Sequence, residues 1–147
     1  MKIVLSILIL IAGAACQAAS IQGEIRLKYA ESMFSEDAFT KDFGDAVKAT
    51  CKWYAGDFFG RETVFAGITV TNTASKQMFF DYYVAFYDKD KKLVGAASQG
   101  SFGKEGLKPG ETTQLGSCLI KLPKDKYKEI TSYQAVIYET DSPPKEK

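Results

Sequence analysis

Apolar and polar residues alternate along most of the chain that follows residue 45. The first run shows the pattern, with Val47, Ala49, Cys51 and Trp53 separated by lysine and threonine. Side chains of a β-strand point alternately to its two faces, so a period of two predicts strands with one buried face. The same period recurs in segments that predict six strands, over residues 47–55, 64–71, 77–88, 93–97, 112–122 and 130–140.

Turn-forming residues separate these segments. Lys108-Pro109-Gly110 has Pro followed by Gly, the order of a type II turn, and residues 88–92 form a charged hairpin tip. Gly116 interrupts the fifth segment, which predicts a β-bulge at that position. Because no long helical segment lies between the strands, the pattern predicts an all-β fold, a single antiparallel β-sandwich of six or seven strands.

The segment over residues 19–44 is less regular, and we expect it to cover the sandwich domain of residues 45–140. The alternation over residues 24–29 is typical of a seventh strand. Residues 35–43 begin with a serine suited to an N-cap and carry two phenylalanines four positions apart, with a glycine behind them. This pattern predicts a short helix. Residues 141–147 are predicted to form a disordered tail.

The N-terminus has the order of residues found in a secretory signal peptide. Lys2 precedes an apolar run over residues 3–12, and small residues follow the run. A membrane span needs roughly 20 apolar residues, which is more than this run provides. We therefore expect residues 1–18 to direct export to the periplasm or the medium.

Two processing routes are compatible with this leader. Cleavage after Ala18 or after Ser20 would release a soluble protein. Gly13-Ala14-Ala15-Cys16 resembles a bacterial lipobox, although the lipobox prefers leucine where Gly13 stands. The alternative is therefore a lipoprotein that is anchored to the membrane through Cys16.

Cysteine usage agrees with an oxidising compartment. Beyond Cys16 the chain has one pair, Cys51 and Cys118, and both lie in alternating segments. An even pair in an exported protein is most simply a disulfide, and we predict that this one ties two core strands beside Trp53.

The charge balance offers no electrostatic partner. Among 147 residues the chain has 19 Lys and Arg against 18 Asp and Glu, and loss of Lys2 with the leader leaves 18 of each. We therefore expect no nucleic acid as partner, and a membrane only through lipidation of Cys16. The chain has no histidine, which excludes Ser-His and Cys-His nucleophile systems and zinc sites that need imidazole.

Asp88 and Asp90 make the best candidate for a cation site. Lys89, Lys91 and Lys92 occupy the same turn and would repel a cation, and the spacing of an EF-hand is missing. We therefore predict neither a metal nor a cofactor.

The third predicted strand is rich in aromatic residues. By alternation, Phe80, Tyr82 and Phe86 face the core, and Phe79, Tyr83 and Tyr87 face outwards. An outward row of aromatic side chains is a possible binding face for a protein or a glycan.

Of the two interpretations, the sequence favours a structural use of this row. The segment over residues 24–43 would then cover the row with Phe34, Phe39 and Phe43, because soluble proteins rarely leave a large apolar patch exposed. A second aromatic site, Phe58-Phe59-Gly60, lies in a predicted loop as either a rim contact or a packed plug.

One part of the chain resembles a known family. Val84-Ala85-Phe86-Tyr87-Asp88, followed by a lysine-rich turn and Leu93-Val94-Gly95, resembles the FxLYD-type domain of exported bacterial and archaeal proteins. Gly67-Ile68-Thr69-Val70-Thr71-Asn72-Thr73 is similar to its preceding strand, and Leu107-Lys108-Pro109-Gly110-Glu111-Thr112 to its following turn. The resemblance covers roughly residues 61–140.

The departures from this family are the valine at position 84, where the motif has phenylalanine, the added cysteine pair and the added segment before Asp45. The resemblance implies an immunoglobulin-like sandwich and implies no chemistry, since fold alone does not determine function. We expect an exported, non-enzymatic module that acts by binding or scaffolding in the cell envelope. The alternatives are a carboxylate-using hydrolase, which needs two carboxyl groups converging in one pocket, and a structural lipoprotein.

Overall fold

Two four-stranded antiparallel sheets form the part of the protein that the structure describes. The computed structural model describes residues 16–32, 34–44, 47–100 and 106–140. The first sheet has the strand order β1-β8-β5-β6 and the second has the order β2-β3-β4-β7. The strands are β1 Cys16–Glu24, β2 Phe39–Phe43, β3 Val47–Phe58, β4 Arg61–Asn72, β5 Phe79–Tyr87, β6 Leu93–Gly100, β7 Thr112–Lys121 and β8 Ser132–Thr140, with a 3₁₀ helix over Lys126–Glu129.

The predicted all-β sandwich is confirmed, and each of the six predicted strands is present as one of β3 to β8. The predicted bulge is also found, because Gly67 pairs with Ser117 and Ile68 with Leu115, which leaves Gly116 as the extra residue. The turn after Lys108 closes with a hydrogen bond from the Glu111 amide, and Gly110 has the positive φ of 76° that its place in a type II turn requires.

Trp53 is the centre of the core between the sheets. Its ring stacks on Phe39 at 5.3 Å and meets the edges of Phe86 and Tyr133 at 5.3 and 4.8 Å between ring centroids. Its Nε1–H donates to the Tyr82 hydroxyl of the facing sheet at 3.0 Å. The buried indole therefore has its polar group satisfied by the opposite sheet, which fixes how the two sheets face each other.

Asn72 joins the loops at the end of the sandwich where β4 finishes. Its fully buried Nδ2 donates to the carbonyl oxygens of Lys76 and Leu107 at 2.9 and 2.8 Å. Its Oδ1 accepts the Ala74 amide at 2.9 Å. We call this the Asn72 end, and we call the opposite end, which carries the β3–β4 turn and the 3₁₀ helix, the hairpin end.

Both sheets take an edge strand from the N-terminal segment, which therefore belongs to the sandwich and does not only cover it. β1 lies beside β8, and β2 lies beside β3. The predicted helix over residues 35–43 is wrong, because residues 39–43 form strand β2. A spacing of four places two phenylalanines on one face of a helix and equally on one face of a strand, so that spacing does not distinguish the two.

The predicted seventh strand over residues 24–29 is not a full strand. Ile25 and Leu27 are buried as the alternation indicated. Within residues 25–29, however, the backbone contacts are a hydrogen bond from the Ile25 amide to the Thr131 carbonyl oxygen and a parallel bridge between Tyr29 and Ala55. β1 itself begins at Cys16, so the predicted cleavage sites lie inside a strand. The rest of the predicted signal peptide, residues 1–15, and the predicted tail, residues 141–147, lie outside the described residues.

The predicted disulfide between Cys51 and Cys118 is wrong. Cys51 is a free, buried thiol on β3. Cys118 pairs with Ala66 of β4, and Cys51 pairs with Ile68 on the other side of the same strand. One strand therefore separates the cysteines, and their partners on it are two residues apart, so their Cα atoms lie more than about 10 Å apart at 4.8 Å per strand spacing. A disulfide needs Cα atoms within roughly 4.4–6.8 Å.

We expect Cys51 to resist thiol reagents in the native protein. Burial raises the pKa of its thiol to about 12, so the reactive thiolate does not form near neutral pH. Its Sγ lies 3.3 Å from the Lys41 carbonyl oxygen, in a buried position that a reagent cannot reach. Peptide mass spectrometry after iodoacetamide treatment should find Cys51 unmodified without urea and alkylated in urea. Modification of the folded protein, or alkylation in urea only after reduction, would contradict this assignment.

Candidate functional site

The predicted binding residues lie on the outer face of β5, in the middle of the first sheet. Phe79, Tyr83 and Tyr87 alternate with Phe80, Tyr82 and Phe86, and the second group is completely buried. The division of this strand into an inner and an outer face is therefore as predicted. The binding role of the outer residues stays a prediction.

Neighbouring strands extend this surface. The rings of Tyr83 and Tyr138 meet edge to face at 5.7 Å, and Val136 is the register partner of Tyr83 on β8. Leu93, at the start of β6, lies opposite Tyr87. We call this surface the tyrosine face, formed by Phe79, Asp81, Tyr83, Ala85, Tyr87, Leu93, Val136 and Tyr138.

The N-terminal segment does not cover the tyrosine face. Phe39 stacks on Trp53 and Phe43 also packs against the core, while Phe34 lies beside the Lys52 ammonium of the second sheet. Tyr83 remains 40% exposed and Leu93 remains 61% exposed. The favoured interpretation, in which these three phenylalanines cover the outer row, is therefore wrong.

One carboxylate lies within this apolar surface. Partial burial raises the pKa of Asp81 above its usual value. Burial also raises the pKa of Tyr83, and the nearby Asp81 and Tyr138 raise it further. The tyrosine face thus combines partly dehydrated rings with one carboxylate, and apolar and polar groups together provide affinity and orientation at protein interfaces.

A second feature is an open cavity of about 620 Å³ at the hairpin end. Asp57 and Glu62 lie opposite each other in the register of β3 and β4, and both line the cavity. A hydrogen bond to Asp57 raises the pKa of Tyr29 to about 12, and the negative charges of Asp57 and Glu62 add to the effect. Glu62 Oε2 accepts the Asp125 amide at 2.6 Å.

Two carboxyl groups therefore do converge here, as a carboxylate-using hydrolase requires. Each of them holds a neighbouring segment, since Asp57 binds the Tyr29 hydroxyl and Glu62 binds the backbone before the 3₁₀ helix. These contacts fix the loops of the hairpin end.

Asp88 shapes its hairpin turn through hydrogen bonds. Its Oδ1 accepts the amides of Asp90 and Lys92, each at 2.9 Å, and these bonds lower the pKa of Asp88. Lys91 takes a left-handed φ of 62° in the same turn. The turn therefore uses its carboxylate to bind its own backbone. Within the described part of the chain, no three cysteine or carboxylate side chains are grouped as metal ligands.

A second aromatic surface lies at the β3–β4 turn, and the sequence patterns did not predict that its residues form one cluster. Tyr54 stacks on Phe65 at 4.7 Å, Phe58 lies 6.3 Å from Phe65, and Phe59 lies 4.6 Å from Phe58. We call these four residues the tip cluster. The alternation indicated outward positions for Tyr54 and Phe65, but only the strand register shows that their rings continue into the β3–β4 turn.

The chain matches no protein-family model, no curated protein and no solved structure. Among the residues that the structure describes, none form a helix with the length and apolar character needed to cross a bilayer.

Proposed function

We propose that the protein is an exported, non-enzymatic β-sandwich module of the FxLYD type, and that it binds a partner protein in the cell envelope through the tyrosine face. The supporting observation is the exposure of Tyr83 on a central strand, with no described segment over it. Soluble proteins rarely leave contiguous apolar surface on the middle of a sheet without a use for it.

The chemistry of the tyrosine face favours a protein over a glycan. Tyr83 and Tyr138 contact each other edge to face, and aliphatic Val136 and Leu93 flank them. Tyrosine is enriched among the residues that dominate protein interfaces, and a surrounding rim of smaller apolar contacts excludes water from them. The docking surface that we propose includes the three predicted residues Phe79, Tyr83 and Tyr87.

We expect Tyr83→Ala to weaken partner binding by about 1–3 kcal/mol, the range of an interface hot spot. The same change should lower the free energy of unfolding by only about 1 kcal/mol, mainly through loss of the edge-to-face pair with Tyr138. Affinity capture from envelope extract, followed by titration of the purified partner, measures the first effect. Urea unfolding measures the second.

Tyr54→Ala is the matched control, because Tyr54 is also half-buried and also pairs with one ring, that of Phe65, but on the opposite sheet. It should cost similar stability and leave partner binding intact. Equal loss of binding in both variants, or loss of stability alone in Tyr83→Ala, would end the proposal. Retention on insoluble envelope polysaccharide that depends on Tyr83 would identify a glycan as the partner class instead.

A further inference from the structure

The β3–β4 turn carries an apolar side chain at its most exposed point. Phe59 is 92% exposed, and its neighbour Phe58 is 38% exposed. The two rings touch each other and continue through Phe65 and Tyr54 along the outer face of the second sheet. No other large apolar side chain that the structure describes is as exposed as Phe59.

The backbone at this point is also unfavourable for phenylalanine. Phe59 and Gly60 have φ angles of 50° and 71°, the left-handed pair of a two-residue hairpin turn. Asn-Gly or Gly-Gly is the usual sequence for such a turn, because bulky residues are strained at positive φ. Asparagine would suit both the exposed position and the left-handed backbone better than phenylalanine does. The stability of the fold therefore does not explain Phe59.

Basic side chains surround the tip cluster although the chain as a whole is nearly neutral. Arg61 is the register partner of Phe58, Lys121 is the partner of Thr63, and Lys124 follows in the next loop. In the part of the chain that the structure describes, none of these three cations forms an ion pair.

Three acidic groups nearby each have a partner within the protein, although of these three only Asp125 has a cation as its described partner. Asp57 interacts with the Tyr29 hydroxyl, Glu62 binds the Asp125 amide, and Asp125 pairs with Lys128. Within residues 57–62 and 121–129, five cations stand against four carboxylates, so the hairpin end has a small positive net charge beside its exposed apolar tip.

We propose that the tip cluster inserts into the interface of an anionic lipid bilayer, with Arg61, Lys121 and Lys124 against the headgroup phosphates. Shallow insertion of aromatic side chains, reinforced by cations, is how peripheral proteins bind such surfaces. Two phenylalanines offer at most about 400 Å² of contact, roughly half of what one partner contributes to a stable protein interface. A bilayer can close around so small a convex tip.

This contact is independent of lipidation at Cys16. β1 begins at Cys16 beside Glu139, and it ends at Glu24 beside Ser132, which follows the 3₁₀ helix of the hairpin end. Cys16 therefore lies toward the Asn72 end, and the tip cluster lies at the other end of the sandwich.

The test is partitioning of the protein onto vesicles of phosphatidylglycerol and phosphatidylcholine, compared with vesicles of phosphatidylcholine alone. The wild-type protein should bind the anionic vesicles, and added salt should weaken the binding. Phe59→Asn should reduce partitioning about tenfold or more by removing the inserted ring. The same substitution should raise the melting temperature by about 3 °C, because asparagine tolerates a left-handed backbone.

Lys121→Gln should reduce partitioning about fivefold, and only on anionic vesicles. Phe59→Trp should retain binding and shift its emission to shorter wavelength on the vesicles, a clear signal because the chain has a single other tryptophan, buried Trp53. Tyr83→Ala is the control on the opposite sheet and should bind vesicles as the wild type does. All variants share one N-terminus, so any contribution from the leader cancels.

Absence of binding to anionic vesicles would overturn the proposal, as would unchanged binding by Phe59→Asn. A lower melting temperature for Phe59→Asn would also overturn it, because Phe59 would then be a structural residue. A negative result with vesicles would not affect the proposed role of the tyrosine face, because Tyr83 is tested with a different partner and a different variant.

Discussion

Trp53→Ala should destabilise the fold more than any other single truncation of an aromatic residue. The indole is fully buried against Phe39, Phe86 and Tyr133, and its removal also leaves the Tyr82 hydroxyl without its donor. Loss of a buried tryptophan costs about 3–5 kcal/mol, a large part of the roughly 5–15 kcal/mol that stabilises a typical domain. Urea unfolding followed by circular dichroism measures the change.

The neighbouring position supplies the control for this experiment. Tyr54→Ala removes an aromatic side chain from the outer face of the same strand, where one stacked pair with Phe65 is lost. Its cost should be about 1–2 kcal/mol. If the two variants unfold at the same urea concentration, the division of β3 into a buried and an exposed face is wrong.

Asn72→Ala should have the second-largest effect, although the residue is small and polar. Its side chain satisfies two carbonyl oxygens and one amide that belong to separate loops. The substitution removes all three hydrogen bonds, although the Leu107 carbonyl oxygen still accepts the Met78 amide, and we expect a loss of about 3 kcal/mol. The midpoint of urea unfolding should fall accordingly.

Two further substitutions separate hydrogen bonding from packing at this site. Asn72→Asp keeps the acceptor for the Ala74 amide but directs a carboxylate at two carbonyl oxygens, so it should be at least as harmful as alanine. Thr71→Val removes an exposed hydroxyl that pairs with Thr112 and should cost less than about 1 kcal/mol. A mild effect of Asn72→Asp would contradict the assigned hydrogen bonds.

Strand positions could be predicted from the sequence because burial alternates with every residue. The inner residues of β3 from Val47 to Ala55 are almost completely inaccessible and the residues between them are not, so the sequence alternates with a period of two. In β4 the pattern is less regular, because Thr63 and Gly67 of the outer face are buried as well. The bulge at Gly116 was predictable for the same reason, since an extra residue shifts the alternation.

Strand order could not be predicted in the same way. The alternation places Cys51 and Cys118 in strands, but the identity of the strand between them depends on tertiary packing. The disulfide prediction failed at this step. The edge strand β2 was predicted as a helix for a related reason, because its two phenylalanines fit both periods and its pairing with β3 is a long-range choice.

In the candidate surfaces, too, the residues of a single strand were predictable and their neighbours on other strands were not. The outward row of β5 was predictable from one strand, whereas its partners Val136 and Tyr138 come from β8 through the sheet register. Prediction of the tip cluster would have required both the register of β3 and β4 and the left-handed conformation of Phe59. A dipeptide of two phenylalanines before glycine does not by itself separate an exposed tip from a packed plug.

Site-specific photocrosslinking in the envelope tests the central claim most directly. A photoreactive phenylalanine analogue in place of Tyr83 lies on the tyrosine face, and the same analogue in place of Tyr54 lies on the opposite sheet. The proposed function predicts one discrete protein adduct from position 83 that is absent from position 54. Adducts shared by both positions, or none from position 83, would contradict a docking surface on the outer face of β5.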